Sequence, residues 1–104
     1  MIRYALVALL LLSVTPVSAE DFRIIQRNRA FSVATLTARV GDRLLFVNED
    51  AITHHIFSQS ARNEFEIQKQ EPGQTNEVKL RAPGVVEVRC ALHPRMQLTV
   101  TVNP

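Results

Sequence analysis

The chain has no tryptophan, a single tyrosine and a single cysteine. Nucleic-acid binding calls for a basic stripe interleaved with stacking aromatics. Here the lysines and arginines are scattered and the formal net charge is only +2, so that class is set aside. One cysteine cannot close an internal disulfide. An odd thiol in an oxidising compartment has to be bound, buried or joined to another chain. No internal repeat or low-complexity tract is present, and no sustained 3.6-residue apolar period follows residue 19. That argues against a helical fold, and one helical turn within residues 62–70 is the most helix the pattern allows.

What is present begins with an export signal. Arg3 supplies a positive start, Tyr4 to Leu12 an apolar stretch, and Val17-Ser18-Ala19 a small-residue cleavage pattern ahead of Glu20. Ser13, Thr15 and Pro16 interrupt the apolar stretch, which is shorter than the roughly 20 residues of a spanning helix. Residues 1–19 are therefore predicted to be a cleaved signal peptide. Residues 20–104 are predicted to be one small periplasmic domain, not membrane-embedded. Losing the signal removes Arg3 alone among the charged residues and lowers the net charge to +1.

Short runs of β-branched and aromatic residues separated by turn signals predict an all-β sandwich of seven to eight strands. The candidate strands are 22–28, 31–40 (with a break near Ala34-Thr35), 43–48, 54–58, 65–67, 75–80, 85–90 and 97–102. Gly41-Asp42, Glu71 to Gln74 and Ala82-Pro83-Gly84 read as turns. Val86, Val88 and Cys90 share parity, which puts the thiol on the face of two core valines.

That thiol opens the run Cys90-Ala91-Leu92-His93-Pro94-Arg95-Met96, where thiol, imidazole and thioether recur every three residues. Alone, a cysteine is more often a small buried hydrophobe and a methionine core filler. Together they supply three of the four donors of a mononuclear copper site, a His₂Cys plane with a weak axial Met. A structural zinc site wants four strong Cys or His ligands, and the thioether adds little to one. Pro94 stiffens the loop between ligands. The second imidazole is His54 or His55. Adjacent strand residues point to opposite faces, so one of the two faces the ion, and the flanking Ile56 and Phe57, both apolar, do not say which.

Gly41-Asp42, the apolar strand ending in Val47-Asn48, the histidine thirteen residues after Gly41 and the Cys90/His93/Met96 loop together resemble the small cupredoxins, the plastocyanin and amicyanin group. The likeness spans roughly residues 40–102. It implies a Greek-key sandwich with copper near one end, and it implies His54 as the ligand, with His55 where the family usually carries Asn. Asn48 matches the family Asn whose backbone amide donates to the copper-bound sulfur, a contact of the kind that tunes potential. Asn48, His55 and Pro94 are thus the expected surroundings of the ligands. Three positions depart from the pattern. Ala91 lacks the hydroxyl or amide that ties the ligand loop to the Asn48 region, Thr53 replaces a Pro, and Val88 replaces an aromatic.

The expected function is one-electron transfer without catalysis, because four protein ligands leave no open position for a substrate. The resemblance implies that electrons leave through the His93 edge. An apolar rim of Leu92, Pro94 and Met96 would suit a brief docking contact, with Arg89 and Arg95 steering an acidic partner. The expected partners of this monomer are redox proteins such as a c-type cytochrome or a periplasmic dehydrogenase or oxidase. Two other readings are a periplasmic carrier or chaperone that delivers copper, and a metal-free interaction sandwich.

Overall fold

The computed structural model describes residues 18–104. The proposed signal peptide lies almost wholly outside them. Among the described residues there is no helix, and nine strands follow in order: β1 (Asp21–Arg27), β2 (Ala30–Phe31), β3 (Thr35–Arg39), β4 (Arg43–Asn48), β5 (His54–Ser58), β6 (Phe65–Gln70), β7 (Thr75–Lys79), β8 (Gly84–Cys90) and β9 (Gln97–Asn103).

They form two sheets, ordered β2-β1-β4-β7 and β3-β9-β8-β5-β6. β1/β4 and β3/β9 pair in parallel, each within its own sheet, while the remaining pairs are antiparallel. Alternation places Ile24, Leu44 and Phe46 of the first sheet against Ile56, Val86, Val88, Leu98, Val100 and Val102 of the second. This is the sandwich that the β-branched runs predicted.

The strand count is nine because the stretch 31–40 splits at the break near Ala34. Its first part pairs with β1 and its second with β9, in different sheets. Residues 62–70 hold no helical turn. Arg62 takes a positive φ of 65° in a turn, and β6 extends to Gln70. Pairing with β5 supplies the ladder that the polar residues 68–70 did not advertise locally.

β4, β5, β8 and β9 bring the chemistry to one end. Cys90 closes β8, and the loop 91–96 returns to β9. The loop 49–53 joins β4 to β5 and delivers His54.

Candidate metal centre

Cys90 and His54 are both buried and lie side by side, with Cys90 Sγ 3.7 Å from His54 Nδ1. They come together because Ile56, two residues after His54, is the register partner of Cys90. A bulge between His54 and Ile56 in the β5/β6 pairing sits at this point, a position where irregular strands often re-aim a side chain.

The far nitrogen of the His54 ring is already committed. Nε2–H donates to Asp50 Oδ2 at 2.7 Å, which leaves the Nδ1 lone pair directed toward the sulfur. Asp50 also accepts the backbone amides of Asn28 (2.6 Å) and Arg29 (3.1 Å) from the β1–β2 turn. Those two residues have φ of 54° each, so their successive N–H groups form a concave anion-binding nest. Burial works against the Asp50 charge, but the His54 bond and the two amides outweigh it and hold the carboxyl below its usual range. Sequence reading missed Asp50. A carboxylate four residues before a candidate ligand, in the same loop, was the available signal.

His93 stands edge-on to His54, with ring centroids 5.4 Å apart and planes at 73°. It is half-buried, whereas Met96 is buried at 1% exposure. The Met96 amide donates to the His93 carbonyl at 3.0 Å, closing a tight turn around Pro94-Arg95. Among the described residues, no three His, Cys, Asp or Glu side chains already converge as a ready-made ligand group. The close pair is His54 and Cys90, with His93 and Met96 on the adjoining loop. A thiolate, two imidazoles and a thioether suit a soft metal ion, and these four residues fit such an ion by donor chemistry.

The structure brings His54, not His55, to the cysteine. His55 points to the opposite face, half-buried, bonded to Glu66 at 2.8 Å and edge-on to Phe57.

The Asn48 amide does not reach toward the sulfur. It donates to the Gln74 carbonyl at 3.0 Å, because Asn48 ends β4 beside the 71–74 turn. Its side chain has a different role: Nδ2 donates to the carbonyls of Ile52 and Gln70, and Oδ1 accepts the Asp50 amide. Asn48 therefore shapes the loop that carries Asp50.

Ala91 offers no side-chain tether, as expected, but its amide donates to the His55 carbonyl at 2.9 Å and ties the ligand loop to β5 through the backbone. The exposed apolar rim consists of Leu92, 56% exposed, and Pro94. Met96 is too deeply buried to join it. Arg95 is exposed within the loop. Arg89 is also exposed, but on the outer face of β8, opposite Cys90 in strand parity.

No family model matches the chain. Methylamine utilization protein MauL of Methylorubrum extorquens is 31% identical over 91 residues, covering 85% of this chain and 80% of that protein. Among solved structures, a Cu(I) form of an amicyanin variant superposes with a TM-score of 0.73 at 18% identity, covering 85% of this chain and 87% of amicyanin. A purple cupredoxin from Nitrosopumilus maritimus gives 0.69 at 23% identity over 79% of this chain and 99% of its own. The two-sheet fold and the sequence relationship to MauL together place the chain in the cupredoxin family, as a small amicyanin-like member.

Proposed function

We propose that the mature domain is a periplasmic one-electron carrier with a mononuclear type I copper site held by His54 Nδ1, Cys90 Sγ, the His93 imidazole and Met96 Sδ. The observation that carries this is the buried approach of His54 Nδ1 to Cys90 Sγ at 3.7 Å, with the other ring nitrogen held by Asp50. Copper, when bound, supplies the Cu(II)/Cu(I) couple. The chain's part is to hold four donors with little freedom to rearrange. β5 and β8 fix the first two, while the Ala91–His55 and Met96–His93 backbone bonds fix the loop bearing the others. Asp50 keeps the His54 proton on Nε2, and the sandwich keeps water from the sulfur.

Leu92 and Pro94 beside His93 offer a small apolar contact for a redox partner, such as a c-type cytochrome or periplasmic dehydrogenase, and Arg95 favours an acidic one. The relationship to MauL, a methylamine utilization protein, and the likeness to amicyanin support a redox role of this kind.

The test is to titrate the purified mature protein with Cu(II) and record its visible spectrum. An intense thiolate-to-copper absorption, lost in Cys90→Ala, is the expected result. A colourless protein at full copper occupancy would sink the proposal.

A further inference from the structure

The end of the sandwich away from Cys90 holds a carboxylate that the electron-carrier reading does not use. Asp42 follows Gly41 in the β3–β4 turn and is 6% exposed. Its Oδ2 accepts the Arg39 amide at 2.8 Å, its own amide donates to the Arg39 carbonyl, and its carbonyl accepts the Leu80 amide. The carboxylate is therefore fixed in place. Its other oxygen, Oδ1, accepts the backbone nitrogen of Glu20 at 2.9 Å. The Glu20 carbonyl in turn accepts the Arg43 amide at 2.9 Å, so Glu20 is held at both its nitrogen and its carbonyl. Glu20 is also the residue that follows the Val17-Ser18-Ala19 cleavage pattern, and Ala19 and Glu20 are exposed.

We propose that removal of the signal at Ala19–Glu20 turns this amide contact into an ion pair, so that processing itself locks the first strand onto the β3–β4 turn. This rests on the export reading made above. In the cleavage, carried out by a signal-processing peptidase, the Ala19–Glu20 C–N bond breaks. Water supplies the new carboxylate oxygen of Ala19, and the Glu20 nitrogen takes up protons to become an α-ammonium. That ammonium is created in hydrogen-bond contact with a fixed carboxylate. A charge-assisted bond is roughly twice as strong as the neutral one it replaces. The uncleaved chain has the same contact without the charge.

Every charged group at this end bears on the outcome. Arg39 and Asp42 lie on the turn, and Asp21 and the Glu20 carboxylate lie at the head of β1. Arg43 of β4 is paired with Asp21 and Glu77, and Lys79 is its register partner on β7. The Arg39 guanidinium opposes an added positive charge, but Asp42 is the group in contact. The Asp42 carboxyl is already held below its usual range, first by the Glu20 and then by the Arg39 backbone bond. A folded-state α-amino pKa raised by Asp42 contributes stability that is fully present below the unfolded value of about 7.7–8.0. That contribution is lost as pH rises through the folded value.

The experiment uses residues 20–104 with a free N-terminus, the same chain acetylated on Glu20, and a form extended by Ala19. Urea unfolding is followed from pH 5 to 10, and the α-amino group is titrated by ¹⁵N NMR. At pH 6 we expect acetylation or extension to lower the folding constant about three- to tenfold, an effect scaled to a part-exposed charge pair. We expect that difference to vanish at high pH. The α-amino pKa should lie above the ordinary range and return to it in Asp42→Asn. An ordinary α-amino pKa in the unsubstituted chain, or equal stability of free and acetylated forms at pH 6, overturns the proposal, and neither result needs a variant that folds. The N-terminal residue of the exported protein, read by mass spectrometry, tests the export reading separately. A start other than Glu20 would defeat that reading while leaving the measured pair intact.

Discussion

Asp50 bonds three N–H groups at once, and its loss releases all three. Replacing it with Ala frees His54 Nε2 and strips the Asn28–Arg29 turn of its acceptor. The expected cost is about 1–3 kcal/mol in urea unfolding of the metal-free protein. Copper retention against a chelator should fall about 10–100-fold, the usual scale for a group that orients a ligating histidine. The two histidines of β5 should separate cleanly. His54→Ala is expected to abolish the visible copper band and His55→Ala to leave most of it, because His55 bonds Glu66 on the other face. Loss of the band in His55→Ala with retention in His54→Ala would reverse that assignment. At this scale the candidate donors were legible in the sequence and their hydrogen-bond partners were not. Cys90, His93 and Met96 sit within seven residues, so spacing alone makes them conspicuous. The acceptor of the Asn48 amide, Gln74, is set by how β4 lies beside the 71–74 turn, and no local pattern encodes that.

Among the elements, the β3–β4 turn is held by the side chain of Asp42. Asp42 accepts two amides and is charged at neutral pH, with its carboxyl held below the usual range by the Glu20 and Arg39 backbone bonds. A carboxylate depressed by folding contributes stability that is present above its unfolded pKa and lost as pH falls through the folded one. Asp42→Ala is therefore expected to cost about 1–3 kcal/mol at pH 7 in chemical denaturation. The cost should shrink below pH 3.8, the ordinary value. A difference from the parent that does not change with pH would show that the charge of Asp42 contributes nothing. Strand positions were largely legible because one face of each is apolar. β4 and β5 fall where alternation and turn residues predicted them. β6 did not, since its polar second half is strand only by virtue of its partner β5.

Across the whole molecule, the sheets are joined by more than apolar packing. Gln26 on β1 and Gln70 on β6 are fully buried and meet between the sheets, with Gln26 Nε2 donating to Gln70 Oε1 at 2.8 Å. Gln70 Nε2 continues to the Phe46 carbonyl at 2.9 Å, while Gln26 Oε1 finds no partner among the described residues. Gln70→Leu alone should cost about 1–3 kcal/mol, because it strands a buried donor and a carbonyl. Adding Gln26→Leu should recover part of that loss, since replacing both partners by apolar groups is far milder than orphaning one. A thermal or urea cycle over the four proteins measures the coupling, and strict additivity would show that the pair does not act as a unit. Sequence alternation reads a glutamine as solvent-facing, and only the assembled sandwich reveals two of them facing each other.

The position of β9 bears on the order in which the protein is made. This last strand lies between β3 and β8, and it is the neighbour through which β3 joins its sheet. Until residues 97–103 have been made, β3 has no partner and the five-stranded sheet lacks an interior member. A nascent chain of this design cannot close its five-stranded sheet before residues 97–103 have been made, so folding waits on a strand that comes late in the chain although it lies inside the sheet.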